Sequence, residues 1–291
     1  MRPGRPSRTA EGVAAIRAAE MILYPPERRV FQDPIAKKLL GPRMRLLVGS
    51  GPLLRALVWC HQRIYHGMVF EVLARARYAQ ENLQRLAVLG VRQVVVLGAG
   101  FDPTAWLGWL PEDLVVFELD DARTQALKRR RLASAGIAEP RRAVFVPIDL
   151  RNEDLAGALA AAGHRPDQRS FVTVLGVLPY LPIESVGRLL GGIARAIPPE
   201  SETVYSYMSR SAVGSGRKPW GLRLMARRLE RIGEPFLSGA DPAEMSDLVE
   251  RAGFTQVETL GGADLTERYF APAGDPRTVA SWLNLSRAVR R

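Results

Sequence analysis

Short apolar runs and longer mixed runs take turns along the chain from about residue 90 onward. The apolar runs fall near 93–97, 114–118, 143–148, 171–175 and 202–208, with little alternation, as expected of strands covered on both faces. Between them, at about 103–109, 121–135, 152–162 and 183–196, apolar residues recur at helical spacing. Strand and helix repeated at this interval specify an α/β fold: a doubly wound, mostly parallel sheet with right-handed crossovers. Further helices are expected near 220–232 and 241–252, then a late strand beginning at Gly253, with Glu267-Arg-Tyr-Phe270 as its antiparallel partner.

Ahead of the first strand the pattern is helical. Thr9-Ala-Glu-Gly12 opens like a cap, and Val13, Ile16, Met21 and Ile22 carry one apolar side until Tyr24-Pro-Pro26 stops it. Asp33-Pro34 starts a helix over 35–40, and others are expected over 53–65 and 68–89. No repeat or linker divides the chain. The predicted organisation is a helical cap over 1–90, placed as a lid, on a Rossmann-like domain over 91–291.

Chemistry concentrates where the first strand ends. Gln93-Val-Val-Val-Leu97 breaks into Gly98-Ala-Gly100, leaving main chain bare for a ligand at the carboxyl edge of the sheet. Glu118 closes the second apolar run 18 residues after Gly100, near the roughly 20 at which an acid grips a ribose diol. The third glycine of a dinucleotide fingerprint is missing, because Pro103 stands in its place. Alone, this pattern is equally an ordinary buried turn between strand and helix.

The chain has 291 residues, 47% hydrophobic and 24% charged, enough for a substantial core. No apolar run nears the roughly 18 residues of a membrane span, so no membrane partner is expected, and the basic leader lacks the apolar stretch of a signal peptide. A single cysteine, Cys60, permits no internal disulfide and suits a cytoplasmic setting. The net charge of +11 invites a nucleic-acid reading. Its scatter along helices, without stacking motifs or zinc spacing, makes that unlike a nucleic-acid face and more like a positive surface for an acidic small molecule.

Over residues 9 to about 270 the chain resembles the leucine carboxyl methyltransferase-like family, especially the bacterial branch with polyketide carboxyl O-methyltransferases. The resemblance is carried by Thr9 to Glu20, Phe31-Gln-Asp-Pro-Ile-Ala36, Arg75-Ala-Arg-Tyr78, Gln93 to Asp102, Phe117-Glu-Leu-Asp120 with Lys128, Leu175-Gly-Val-Leu-Pro-Tyr-Leu181, Gly233-Glu-Pro-Phe236, Gly253-Phe254 and Arg268-Tyr-Phe270. It implies a class I methyltransferase fold with seven strands, the last antiparallel. It also implies S-adenosyl-L-methionine as cofactor and methyl transfer to an oxygen of a small-molecule, natural-product-like acceptor in secondary metabolism. In that reading Gly98, Ala99 and Gly100 lie against the cofactor's amino-acid part, and Glu118 takes the ribose hydroxyls. Asp149 and Leu150 hold the adenine, and Arg75, with Arg77 as alternative, pairs with the carboxylate. Asp102, Leu119, Leu175 and Gly176 complete the cofactor set, and Tyr180 is the acceptor-side residue.

Two departures stand out: Leu175 replaces a glutamate of the eukaryotic members, and Asp102-Pro-Thr-Ala-Trp-Leu107 replaces an Asp-x-Arg-Ala-x-Arg run of many bacterial ones. A carboxylate acceptor needs no general base, being ionised at neutral pH; a phenol would. His61, His66 and His164 are the only histidines, and no metal cluster appears. Trp59, Tyr65, Phe70 and Trp220 are candidates for an apolar acceptor pocket or for plain core. The rival readings are a methyltransferase of RNA or protein, and a cofactor-binding scaffold without turnover.

Overall fold

The computed structural model describes residues 8–65, 67–151, 154–214, 216 and 218–291. Four helices come first: α1 (Arg8–Leu23), α2 (Pro42–Gly49), α3 (Gly51–Tyr65) and α4 (Glu71–Val88). Then follow β1 (Gln93–Leu97), β2 (Val115–Asp120), α5 (Ala122–Ser134), β3 (Ala143–Pro147), α6 (Leu155–Ala161), β4 (Ser170–Val174), α7 (Ile183–Ala196) and β5 (Glu202–Met208). The chain ends with α8 (Arg210–Val213), α9 (Trp220–Ile232), α10 (Pro242–Arg251), β6 (Phe254–Gly261), α11 (Gly262–Tyr269) and β7 (Leu283–Arg290).

The seven strands form one sheet in the order β3-β2-β1-β4-β5-β7-β6. All neighbours up to β5 run parallel, and β7 lies antiparallel between β5 and β6. This is the α/β architecture expected from the alternating runs. Val94 and Val96 face one layer with Leu73, Leu83 and Leu86 of α4, while Val95 and Leu97 face the other with Leu189 and Ile193 of α7. Helix α4, in the predicted cap, thus packs in the same core cluster as the sheet. The remaining helices α1 to α3 share a third cluster that rests on Phe101, just past Gly100, and on Leu132 of α5. Arg17 fixes this contact, donating to the Phe101 carbonyl at 2.6 Å and pairing with buried Asp33 at 2.9 Å.

The expected strand at Glu267–Phe270 is instead the end of α11. Asp264 reaches back to accept the Gly261 N–H at 2.8 Å, and helical spacing then sends Leu265 and Phe270 into the core. The antiparallel partner of β6 is β7, paired from Phe254 opposite Arg290 to Gly261 opposite Asn284. Two predicted helices shrink to single 3-10 turns. Over 35–40 only Ala36–Leu39 turns, with Asp33 accepting the Ile35 and Ala36 N–H groups, and over 103–109 only Thr104–Trp106 does.

The strand order reverses at β1, whose two neighbours β2 and β4 arrive by crossovers in opposite directions, so a crevice opens at their carboxyl ends. Helices α1 to α3 and α9 stand over that crevice.

Candidate active site

The crevice is a cavity of about 1510 Å³. Its sheet end is main chain and carboxylate. Gly98 and Gly100 turn with φ of +62° and +50°, and a Cβ on Gly98 would stand 2.4 Å from a Val177 methyl. Glycine is therefore needed for conformation and for room. The Gly100 N–H donates to Asp120 at 2.5 Å. Asp120 ends β2 and lines the cavity; burial pushes its carboxyl up to about 6, opposed by the Gly100 and Asp121 N–H groups.

Glu118 is elsewhere. It is wholly buried under the loop, where Lys128 of α5 donates to both of its oxygens at 2.9 and 2.7 Å. Lys128 also donates to the Asp102 carbonyl at 2.5 Å and lies 4.6 Å over the Trp106 ring. Burial pushes Glu118 up to about 7, with the Lys128 charge pulling the other way. Neither Glu118 nor Leu119, both expected at the cofactor, is among the cavity-lining residues. The Leu119 side chain is buried in the opposite core layer, and its carbonyl accepts the Ala99 N–H at 3.1 Å. The Glu118–Lys128 pair instead shores up the glycine turn from below. Strand β2 runs two residues past its expected end, so the acid at its carboxyl end is Asp120, not Glu118.

The other expected cofactor residues meet on the cavity wall: Arg75, Gly98, Ala99, Gly100, Asp102, Asp149, Leu150, Leu175 and Gly176. Asp149 is partly exposed and gripped by Arg151 at 2.8 and 2.6 Å, which holds its carboxyl below the usual range. Asp102 caps the turn after it, accepting the Thr104 N–H at 2.8 Å. The Arg75 guanidinium lies against Gly176, where a Cβ would come within 2.7 Å of it, and pairs with buried Glu71 at 2.8 Å. Arg77 points away, to Glu81 at 2.8 Å, and does not line the cavity.

Tyr180 lines the cavity from the turn Leu178–Tyr180, its ring 5.5 Å from Phe236. Burial pushes its hydroxyl up to about 12, with Arg75 opposing. His61 also lines the cavity, its Nδ1 2.9 Å from the Leu57 carbonyl. His164 is buried at the other end of the sheet, bonded to Ser170, where burial lowers its pKa, and His66 lies outside the described residues. Of the four aromatic candidates Phe70 reaches the cavity; Tyr65 is buried outside it, and Trp59 and Trp220 are exposed.

Toward the helices the wall turns apolar, with Met44, Leu47 and Val48 from α2, Leu54, Leu57 and Val58 from α3, and Met225, Leu229 and Ile232 from α9. Sequence reasoning missed this wall, and also a latch: buried Glu234, past α9, accepts the Thr9 N–H and hydroxyl at the start of α1.

A family model described as leucine carboxyl methyltransferase matches residues 10–194, more than half of the chain. The chain belongs to that family. A Mycolicibacterium smegmatis relative is 32% identical over 285 residues, covering 92% of this chain and 86% of its own length. YktD of Bacillus subtilis is 28% identical over 220 residues, covering 75% and 72%, and a Frankia alni relative is 36% identical over 184, covering 62% of each. All three are provisionally named S-adenosyl-L-methionine-dependent methyltransferases. Crystal structures agree in fold: a provisionally named methyltransferase of Thermobifida fusca (TM-score 0.59, 17% identity, 95% and 94% covered) and a duf574 family protein of Streptomyces avermitilis (0.61, 15%, 95% and 97%). S-adenosyl-L-methionine is accordingly the cofactor for which the sheet end of the cavity has to be tested. The bare turn at 98–100, the carboxylates of Asp120 and Asp149 and the guanidinium of Arg75 match its amino-acid head, diol, amine and carboxylate, so the residues present fit it.

Proposed function

We propose that this family member methylates an oxygen of a largely apolar small molecule, a carboxylate in the first instance. The observation behind the reading is the single cavity that joins the turn at 98–100 and Asp120 to a wall of Leu, Met and Val. S-adenosyl-L-methionine, when bound, supplies an electrophilic methyl group on sulfur. Asp120 would accept the ribose hydroxyls, Asp149 the adenine amine, and Arg75 would pair with the cofactor carboxylate while Glu71 holds the guanidinium in place. The Gly98–Gly100 turn offers main-chain groups at close range.

Tyr180 keeps its proton at neutral pH and so acts as a donor that orients an acceptor oxygen, not as a base. A carboxylate acceptor needs no base, only alignment and exclusion of water, which the apolar helices provide. A hydroxyl acceptor is the second reading, favoured by His61. Its Nδ1 faces a carbonyl and must carry the hydrogen, leaving Nε2 to take a proton.

The test is transfer of a labelled methyl to a panel of aliphatic acids, aromatic acids and phenols, read as a gain of one methyl by mass spectrometry. Methylation of acids that survives His61→Ala supports the first reading, and phenol-only turnover lost in that variant supports the second. Cofactor binding with no product from any acceptor would overturn both.

A further inference from the structure

Helices α3 and α9 each have two working faces. Leu57 and Met225 look into the cavity, while the opposite side of each helix presents a tryptophan among arginines. On α3 the outer face carries Arg55, Trp59 and Arg63 at helical spacing, with the Arg63 guanidinium 5.4 Å over the Trp59 ring. On α9 it carries Trp220, Arg223, Leu224 and Arg227. The two helices pack together, Gly221 sitting so close to Ile64 that a Cβ there would strike its carbonyl. Trp59 is 63% exposed, Trp220 57%, and Leu46 on the neighbouring α2 81%. Leu47 of α2 is both exposed and part of the cavity wall, so the cavity reaches the surface at α2, the helix packed against α3.

The charge is one-sided. From Pro34 to Phe70 the chain has six basic residues and no acid, and from Ser209 to Leu229 again six and none; the first acid of α9 is Glu230 in its last turn. Arg85 and Arg287 are paired with Glu202, and Arg210 with Glu244, but among the described residues no carboxylate pairs with Arg55, Arg63, Arg223 or Arg227.

We infer that this face docks on an anionic lipid surface, with the tryptophans and leucines in the headgroup boundary and the arginines on lipid phosphates. The occupant follows from the charge and the apolar content together. A second copy meeting the same face would set arginine against arginine. Single-stranded nucleic acid would use the tryptophans for stacking but leave Leu46 and Leu224 in water. No helix among the described residues is long and apolar enough to cross a membrane, so the contact is peripheral. The position beside the cavity gives such docking a use, since an amphiphilic acceptor could pass from bilayer to cavity without crossing water.

The experiment is sedimentation of the full chain with vesicles of equal parts phosphatidylglycerol and phosphatidylcholine, against phosphatidylcholine alone, with tryptophan emission as second readout. At about 150 mM salt, where charges are screened beyond roughly 8 Å, the anionic vesicles should still bind and shift emission to the blue. Trp59→Ser with Trp220→Ser, and separately Arg55→Glu with Arg223→Glu, should each weaken binding on the order of tenfold or more, with cofactor affinity unchanged as the check on folding. Equal binding to both vesicles, no binding to either, unchanged binding in both variants, or binding of a short RNA in place of vesicles would overturn the inference. Vesicle binding needs neither cofactor nor turnover, so this result and the acceptor panel fail independently.

Discussion

The two ends of the cavity are built by different rules. At the sheet end the wall is set by backbone: a left-handed turn that favours glycine at 98 and 100, and carboxylates fixed by where β2 and β3 stop. At the helix end it is set by side chains alone, the inward faces of α2, α3 and α9. A backbone-defined end can hold one ligand across a family while a side-chain-defined end is free to change its acceptor. Substitutions that strike one end and spare the other tell these two rules apart.

The largest effect is expected beneath the sheet end. Glu118→Gln leaves the Lys128 ammonium buried without its counter-charge, and breaking a buried pair from one side costs about 3–5 kcal/mol. Thermal unfolding should show that loss, while the folded fraction still binds cofactor. Asp120→Ala should do the reverse. It removes a carboxylate meant to accept two hydroxyls, which at about 1.5–3 kcal/mol for each charged hydrogen bond is on the order of a hundredfold to ten-thousandfold in cofactor affinity by calorimetry. Its melting temperature should hold, because a buried acid with a raised pKa is removed. If instead Glu118→Gln abolishes binding in a stably folded protein and Asp120→Ala does not, the assignment of the two acids is reversed.

These two acids also show what the sequence could and could not convey. The sheet was legible because Val94–Leu97 is apolar on both faces, Phe171–Val174 is so apart from Thr173, and such short runs recur between helical stretches. β7 was not, because Asn284, Ser286 and Arg287 sit within it and make their hydrogen bonds to neighbouring side chains, Asn284 to Ser209, Ser286 with Thr259 and Arg287 to Glu202. The glycine turn, Asp149 and Gly176 were expected at the cofactor through family motifs, and all of them line the cavity. The burial of Glu118 beneath the loop, with Asp120 on the cavity wall instead, was not legible, since it depends on Lys128 reaching across from α5. The apolar wall was invisible because leucines on an inward helix face look the same whether they border a cavity or a core.

A smaller, graded effect should follow from pH. Cofactor binding through Asp120 needs its ionised form, and its carboxyl titrates at about 6. Affinity should be flat above pH 7 and fall as pH drops through 6, approaching roughly tenfold per unit at lower pH. Asp149, held below the usual range by Arg151, stays ionised through this window and adds no second step there. Asp120→Asn should bind weakly and flatten the profile. A wild-type profile flat to pH 5 would remove Asp120 from the cofactor.

The smallest effect belongs to the helix end, and it is the one that tests whether the two ends are separable. Met225 lines the cavity from α9, opposite in kind to anything at residues 98–100, and it is only partly buried, so a larger side chain has room to adjust. Met225→Trp should narrow the acceptor space without touching the glycine turn. A misfitted apolar group of this size changes transition-state binding by roughly 1–3 kcal/mol. KM for a bulky apolar acceptor should therefore rise about tenfold while that for a short one changes little and cofactor affinity stays within about twofold. Should cofactor affinity fall in step with acceptor turnover, the helices would be part of the cofactor site, and the division of the cavity into a backbone-built end and a side-chain-built end would not hold.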